Sequence, residues 1–171
     1  GGEQLVAGYS ILQPRVTPTL ARGLDQSGYR AIAAGASGLD PYSATVSDLY
    51  QDLFGRGNYM GKGLYDVDAF ERATAGAIPE NTVLSHDLLE GELARCAFIG
   101  EVELFDEFPS HTEVAASRLH RWTRGDWQLL PWIFGKHARA LPWISRWKMA
   151  DNLRRTLVPV ANLQERQRFV A

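Results

Sequence analysis

Short extended segments alternate with helical segments along this chain, and this alternation is what most limits the folds open to it. Residues 9–16 and 101–105 have the composition of strands, and Pro14 marks an edge or a bulge in the first of them. Between them, apolar residues recur at helical spacing in residues 41–54, and Asp66 can cap a following helix. Strands interleaved with helices predict an α/β or α+β domain with a short sheet.

Glycines and polar capping residues divide the rest of the chain. Residues 59–65 are expected to form a short strand broken by glycines, and residues 17–40 a weak helix followed by a loop. A helix capped by Ser85 is expected to end at Gly100, with a core stripe of three apolar residues: Leu89, Leu93 and Ala97.

A second helix is expected to begin at a capping box. Ser110 is followed three residues later by Glu113, so that each side chain can bond to the other's backbone N–H. The helix should run through Trp122, and Pro131 should kink or end it.

Charge is distributed unevenly along the chain. Residues 1–134 carry 10 Lys and Arg against 18 Asp and Glu, whereas residues 135–171 carry 8 against 2. The basic segment also holds Trp143 and Trp147, so a helix at a membrane surface, a solvated basic helix and ordinary core packing are all open. We divide the chain at this point and expect residues 135–171 to be an amphipathic segment at the membrane surface. No apolar run approaches the ~20 residues that cross a bilayer.

The sequence also argues against several classes of site. The single cysteine, Cys96, excludes an intrachain disulfide framework. No zinc site is expected, because four histidines lack ligand spacing with it: His86, His111, His120 and His137. The phosphate-binding loop, the dinucleotide-binding glycine pattern, the nucleophile elbow and the HExxH zinc motif do not occur.

Asp87 is the first residue with a candidate chemical role. It falls in the first turn of the helix expected after Ser85, where the helix dipole and free N–H groups favour an ionised carboxylate. Such a group can accept a proton from a hydroxyl nucleophile. His86 could shape the same site, and Glu90 shares the turn. When Asp87 is considered alone, a charge that only stabilises the helix is the more common explanation of such a residue.

The second candidate group combines arginines with an aromatic ring. Arg118 and Arg121 are three residues apart and share a helix face, so their guanidinium groups can bind a diphosphate together. Trp122 can stack against a sugar or a base. Arginines that extend to solvent while Trp122 fills the core remain the alternative.

Taken together, these motifs resemble those of membrane-bound, processive family 2-like glycosyltransferases. The Ser-His-Asp sequence at 85–87 corresponds to that family's base motif, and residues 118–122 correspond to its Gln-x-x-Arg-Trp motif. Longer strings resemble the transferase domain of cyclic β-1,2-glucan synthases, over nearly the whole chain up to about Phe134: residues 8–16, 48–55, 61–70 and 121–132.

This resemblance implies an α/β fold, the C-terminal part of a GT-A-type domain with a short mixed sheet flanked by helices. It implies an inverting hexosyltransferase that uses UDP-glucose to extend a (cyclic) β-1,2-glucan at the cytoplasmic face of a bacterial inner membrane. The growing glucan would be the second substrate, the rest of the polypeptide would supply the membrane contact, and no nucleic acid is expected.

The resemblance also implies roles for individual residues. Asp87 would be the general base, Arg121 would hold the diphosphate and Trp122 would stack on the acceptor sugar. The acceptor path would be formed by five further residues: Lys62, Tyr65, Asp66, His86 and Glu90.

Two departures from the family pattern limit the match. Arg118 stands where the family has Gln, so a charge replaces that contact. The Asp-x-Asp metal motif does not precede residues 8–16, and we interpret Asp66 and Asp68 as helix caps. The divalent metal (Mg²⁺ or Mn²⁺) is therefore expected to be bound upstream, with no ligand in this chain, and the chain alone is expected to be inactive.

Three rivals stay open. Cellulose, hyaluronan or linear osmoregulated glucan synthases would share the base and the Arg-Trp pair but not the longer strings. A glycoside hydrolase would use two carboxylates such as Asp87 and Glu90. A non-enzymatic basic and aromatic binding module would be built on residues 118–155.

Overall fold

The computed structural model describes residues 7–19, 47–83, 86–107, 109 and 111–170. In chain order, the strands and helices are β1 (Ile11–Pro18), α1 (Leu49–Phe54), β2 (Leu64–Tyr65), α2 (Val67–Thr74), α3 (Asp87–Ala94), β3 (Cys96–Asp106), α4 (Thr112–Gln128), α5 (Leu130–Ile133), a 3₁₀ turn (Ala138–Ala140) and α6 (Trp143–Val170).

The three described strands form one mixed sheet in the order β2-β1-β3. β1 pairs antiparallel with β2 and parallel with β3, and its register with β3 shifts between Pro14 and Arg15. This shift agrees with the bulge predicted at Pro14, but the residues that it leaves unpaired, 100–102, are on β3. Pro14 itself lies in the central strand of the described sheet and not at an edge. The expected α/β organisation, a short mixed sheet with helices, is confirmed.

Several expected boundaries were wrong. α3 ends at Ala94 instead of Gly100, because Arg95 adopts a positive φ of 58° and turns the chain directly into β3. Ala97 consequently lies in a strand. In residues 59–65, only Leu64 and Tyr65 pair as a strand.

The helix ends follow local chemistry. Asp66 caps α2 by accepting a hydrogen bond from the backbone N–H of Ala69 at 2.9 Å, as predicted. α4 ends before Pro131, which lies in the first turn of α5, where a missing N–H is tolerated. Ser85, Ser110 and most of the weak helix expected in residues 17–40 lie outside the described residues.

α3 is the element shared by two buried clusters. Leu89 packs with residues of α5 and α6 and of the segments before them: Leu129, Trp132, Ile133, Leu141, Met149 and Leu153. Ala94, at the other end of α3, packs with Ile11 and Cys96 of the sheet and with Ala73. α3 thus joins the sheet to the C-terminal helices.

The tryptophans divide between core and surface. Trp132 is buried, whereas Trp143 and Trp147 are 65% and 57% exposed on α6. The same helix buries Met149 and Leu153 in the core. None of the helices in the described ranges combines the length and the apolar character that a membrane span requires.

A buried ion pair links α3 to α6. The Glu92 carboxylate bonds to the Lys148 ammonium, with side chains 1% and 2% exposed, and Arg56 lies 3.5 Å from the same carboxylate. Lys148 also donates to the backbone carbonyls of Arg56 and Gly57, at 3.3 and 3.1 Å. Ser145 donates a further hydrogen bond to Glu92. Both charges are therefore compensated, as buried charges must be.

Replacing Lys148 by Met should lower the free energy of unfolding by about 3–5 kcal/mol, because it leaves the Glu92 carboxylate buried without its main partner. The Glu92→Gln/Lys148→Met double variant should lose less, since no uncompensated charge remains. Urea unfolding monitored by tryptophan fluorescence measures both.

Arg154→Met is the matched control, on the same helix but at an exposed pair with Asp151. It should cost no more than about 1 kcal/mol. A double variant less stable than Lys148→Met would contradict this account of the buried pair.

Candidate functional site

Asp87 is the first residue of α3 and shares its first turn with Glu90, as the sequence predicted. His86 precedes it in extended conformation at the N-cap and makes no side-chain cap bond. Instead, its backbone N–H donates to the Glu90 carboxylate at 3.2 Å. Glu90 thus closes the helix start, and Asp87 projects from a fixed turn.

A loop rich in glycine lies against the Asp87 carboxylate. We call residues 55–63 the glycine loop. Gly61 has a φ of +77°, and a Cβ built on it would lie 2.7 Å from Asp87 Oδ2. Glycine is needed here for the left-handed conformation and for the close approach. The loop backbone therefore forms one wall of the space around Asp87.

The electrostatics of Asp87 differ from the sequence expectation. The helix dipole predicted a carboxylate held in its ionised form, but burial raises the pKa of Asp87 above its ordinary value of 3.8. His86 and Arg121 oppose that shift without cancelling it. A carboxylate with a raised pKa accepts a proton more readily, which is the property that a general base requires.

The arginine pair, Arg118 and Arg121, lies beside this space. Arg121 is exposed and close enough to Asp87 to influence its pKa. Arg118 is half-buried and lowers the pKa of Lys62, an effect second to that of burial. Neither arginine forms an ion pair with the described residues. Trp122, next to Arg121 on α4, is 43% exposed.

The predicted acceptor-path residues divide into two groups. Lys62 belongs to the glycine loop and forms an ion pair with Asp106 at the end of β3. Tyr65 packs on Phe70, with ring centroids 5.2 Å apart, and Asp66 caps α2. Lys62 therefore lies beside Arg118. Tyr65 and Asp66 contact β1 and the residue just before it through their backbones, and α2 through the Tyr65 ring and the Asp66 carboxylate.

Sequence reasoning missed Tyr59. Its Cβ fits over Gly91 of α3, where an added Cβ would lie only 2.5 Å away. Burial and the charges of Asp87 and Glu90 raise the pKa of its phenol to about 12, so it stays a protonated donor near the carboxylates. No motif marks this residue, because its position depends on a contact across 32 positions of sequence.

Sequence reasoning also missed the side chains that hold the glycine loop. Gln13 of β1 accepts from the backbone N–H of Met60 at 2.9 Å, and Asp48 accepts from that of Asn58 at 2.7 Å. The Gly57 N–H donates to the Cys96 carbonyl at 2.9 Å. These bonds join the glycine loop to β1, to β3 and to the N-cap of α1. The wall beside Asp87 is therefore held from three sides.

The described side chains do not fit the divalent metal that the resemblance implies. No group of three or more His, Cys, Asp and Glu within the described ranges is arranged to hold a metal ion. Asp66, the first of the two aspartates with Asp-x-Asp spacing, is engaged in capping α2, and Asp68 lies in the first turn of that helix.

Comparison with known proteins confirms the resemblance stated from the sequence. The chain is 57% identical over 159 residues to the cyclic β-(1,2)-glucan synthase NdvB of Rhizobium meliloti strain 1021. The match covers 93% of this chain, and so extends past Phe134 into the basic segment, but the chain spans only 6% of the relative's length. No protein-family model matches the chain.

Gly61→Ala should lower the free energy of unfolding by more than the left-handed backbone conformation of residue 61 alone explains. The substitution costs about 1–2 kcal/mol for a left-handed residue with a side chain, and the new methyl group also displaces the Asp87 carboxylate. Gly76→Ala is the matched control, because Gly76 has a similar φ of +67° but nothing within 4 Å of an added Cβ. Urea unfolding should rank Gly61→Ala as the less stable variant, and equal losses would contradict the contact.

Asp87→Asn should raise the free energy of unfolding near pH 7. Because the folded-state pKa of Asp87 is raised, the ionised carboxylate opposes folding above that pKa, and the penalty disappears as the pH falls through it. The gain should therefore shrink towards pH 4. Urea unfolding of both proteins across this pH range tests the sign, and a destabilised variant at pH 7 would contradict it.

Proposed function

We propose that this chain is the acceptor side of a GT-A-type transferase domain in a cyclic β-1,2-glucan synthase, which transfers glucose from UDP-glucose with inversion. The observation that carries the proposal is the Asp87 carboxylate, held at a helix start between the glycine loop and Arg121. The 57% identity to a glucan synthase supports it.

In this reaction Asp87 removes the proton from the acceptor hydroxyl. The hydroxyl oxygen then attacks the anomeric carbon of the donor glucose from the face opposite the diphosphate. A new C–O bond forms, the bond to the diphosphate breaks, and UDP leaves with the electron pair. The raised pKa of Asp87 suits this step, because a base must hold the proton after taking it.

The arginine pair binds the diphosphate. Two guanidinium groups one helical turn apart can each make paired hydrogen bonds to phosphate oxygens, and the pair has no competing carboxylate partner in the described chain. Arg118, in place of the family's Gln, adds a charge to a contact that is neutral elsewhere. This charge strengthens binding of the leaving UDP.

The acceptor glucan lies between Trp122 and the glycine loop. The half-exposed indole offers a flat surface for a sugar ring, and Lys62 reaches the same region from the loop. Tyr65 and Asp66 lie further along the acceptor path, at the start of α2.

The divalent metal and the part of the polypeptide that crosses the membrane belong to other regions of the longer protein, whereas the basic segment of this chain lies at the membrane surface. The described residues offer no ligand set for the metal. We place the protein at the cytoplasmic face of a bacterial inner membrane, with the basic segment and its exposed Trp143 and Trp147 directed to the membrane surface.

Asp87→Asn in the full-length protein should abolish incorporation of labelled glucose into β-1,2-glucan and leave UDP-glucose binding in place. The amide keeps the shape of the side chain but cannot accept the proton. Incorporation is measured with radiolabelled UDP-glucose in membranes, and linkage analysis of the product separates this activity from cellulose or hyaluronan synthesis.

Asp68→Asn is the control, because Asp68 is an exposed aspartate in the first turn of another helix. It should leave incorporation unchanged. Near-normal synthesis by Asp87→Asn would overturn the assignment of the base, and a product without β-1,2 linkages would overturn the substrate.

A further inference from the structure

The side chain of His86 is held against α4 on the side away from solvent. Its Nε2 lies 3.2 Å from Oδ1 of Asp126, and the two side chains are each 11% exposed. Gly125 leaves room for the ring, because a Cβ at that position would lie 3.2 Å from His86 Cδ2. The imidazole thus packs directly on the backbone of α4.

Asp126 connects three elements through one oxygen. The amide of Asn152, on α6, donates a hydrogen bond to the same Oδ1 that His86 approaches. A buried carboxylate is costly unless donors compensate it. The Asn152 amide donates here, and the His86 ring donates as well when its Nε2 carries the proton. Asp126 therefore joins α4 to α6 and to the residue that precedes Asp87.

We propose that Asp126 is a positioning residue for glycosyl transfer, which holds His86 and thereby fixes the distance between Asp87 and the Arg121–Trp122 pair. This inference rests on the function proposed above.

The connection is short on both sides. Asp87 follows His86 directly, and Arg121 and Trp122 lie on the same continuous helix as Asp126, about one turn away. A bond between His86 and Asp126 therefore sets where the base stands relative to the groups that bind diphosphate and acceptor. Errors of about 1 Å in such a spacing cost up to about 100-fold in rate.

His86 has few other polar contacts that could hold its ring. Its Nδ1 is buried and has no hydrogen-bond partner among the described residues. Without Asp126 the ring would lose its described side-chain bond to α4, and the longer-range attraction between Asp87 and Arg121 would remain. The His86–Asp126 contact is therefore a specific hydrogen-bonded link between the two halves of the site.

The same link contributes to the electrostatics of Asp87. The charged groups that act on Asp87 are His86 from its own segment and Arg121 from α4. Glu90 shares its helical turn, and Tyr59 of the glycine loop is close enough for Asp87 to raise the pKa of its phenol. His86 and Arg121 lower the pKa of Asp87 against the larger effect of burial. If His86 moves away, that lowering weakens, and Asp87 becomes protonated at a higher pH.

Asp126→Asn in the full-length protein tests the proposal. We expect kcat for glucan synthesis to fall about 10- to 100-fold with the KM for UDP-glucose unchanged, because the arginine pair is intact. The acid limb of the pH–rate profile should move to higher pH. Glu113→Gln makes the same acid-to-amide change at an exposed position of α4 and should alter none of these quantities.

A double-mutant cycle covers the case in which Asp126→Asn lowers stability. His86→Leu removes the bond from the other side, and the double variant should be no slower than the slower single variant, because both break one contact. If the kcat losses of the two single variants multiply in the double variant, the proposal is overturned. It is also overturned if kcat falls only in proportion to the loss of stability, measured as the urea midpoint, while the pH–rate profile stays unchanged.

Asp87→Asn, measured in parallel, distinguishes a failure of the proposed function from a failure of the role assigned to Asp126. Synthesis retained in Asp87→Asn would overturn the proposed function itself. Synthesis lost in Asp87→Asn but normal in Asp126→Asn would overturn only the role of Asp126.

Discussion

The buried bond between Glu92 and Lys148 is the interaction on which the rest of the described structure depends. Glu92 lies on α3, the helix that begins with Asp87, and Lys148 lies on α6. Lys148 also binds the carbonyls at the start of the glycine loop. The Lys148 ammonium group therefore fixes both α3, the helix that carries Asp87, and the glycine loop that forms a wall beside the Asp87 carboxylate. The apolar clusters at the two ends of α3 then fill the space around this bond.

The site is built by contacts between elements that are far apart in sequence. The glycine loop is held by Gln13 and Asp48 as well as by Lys148. α4 contributes the arginine pair and reaches α3 through Asp126 and His86. These contacts place a carboxylate of raised pKa next to two arginines, one exposed and one half-buried, that form no ion pair with the described residues. That combination distinguishes the first turn of α3 from an ordinary acidic helix start such as that of α2.

The sequence predicted the features that depend on neighbouring residues and missed those that depend on contacts between residues far apart in the chain. Asp66 as a cap, the first turn at Asp87 and the bulge at Pro14 depend on a few neighbouring residues, and the sequence predicted all three. The end of α3 was missed because a positive φ at Arg95 has no local signature when the residue is not glycine. The direction of the Asp87 pKa shift was missed because burial is a tertiary property. Tyr59, Gln13 and Asp126 act across tens of residues, so no spacing rule could find them.

The shortness of α3 has a consequence for how a polymer could be made here. The helix has only two turns, with the sheet at one end and the C-terminal helices at the other, and it leads into β3 after a single residue. If Asp87 is the proton acceptor, as we propose, this support keeps it at a fixed position in the molecule. If many sugars are added in succession, the product has to advance by one unit past Asp87 after each addition, while Asp87 stays in place. The moving part of the cycle is then the glucan itself.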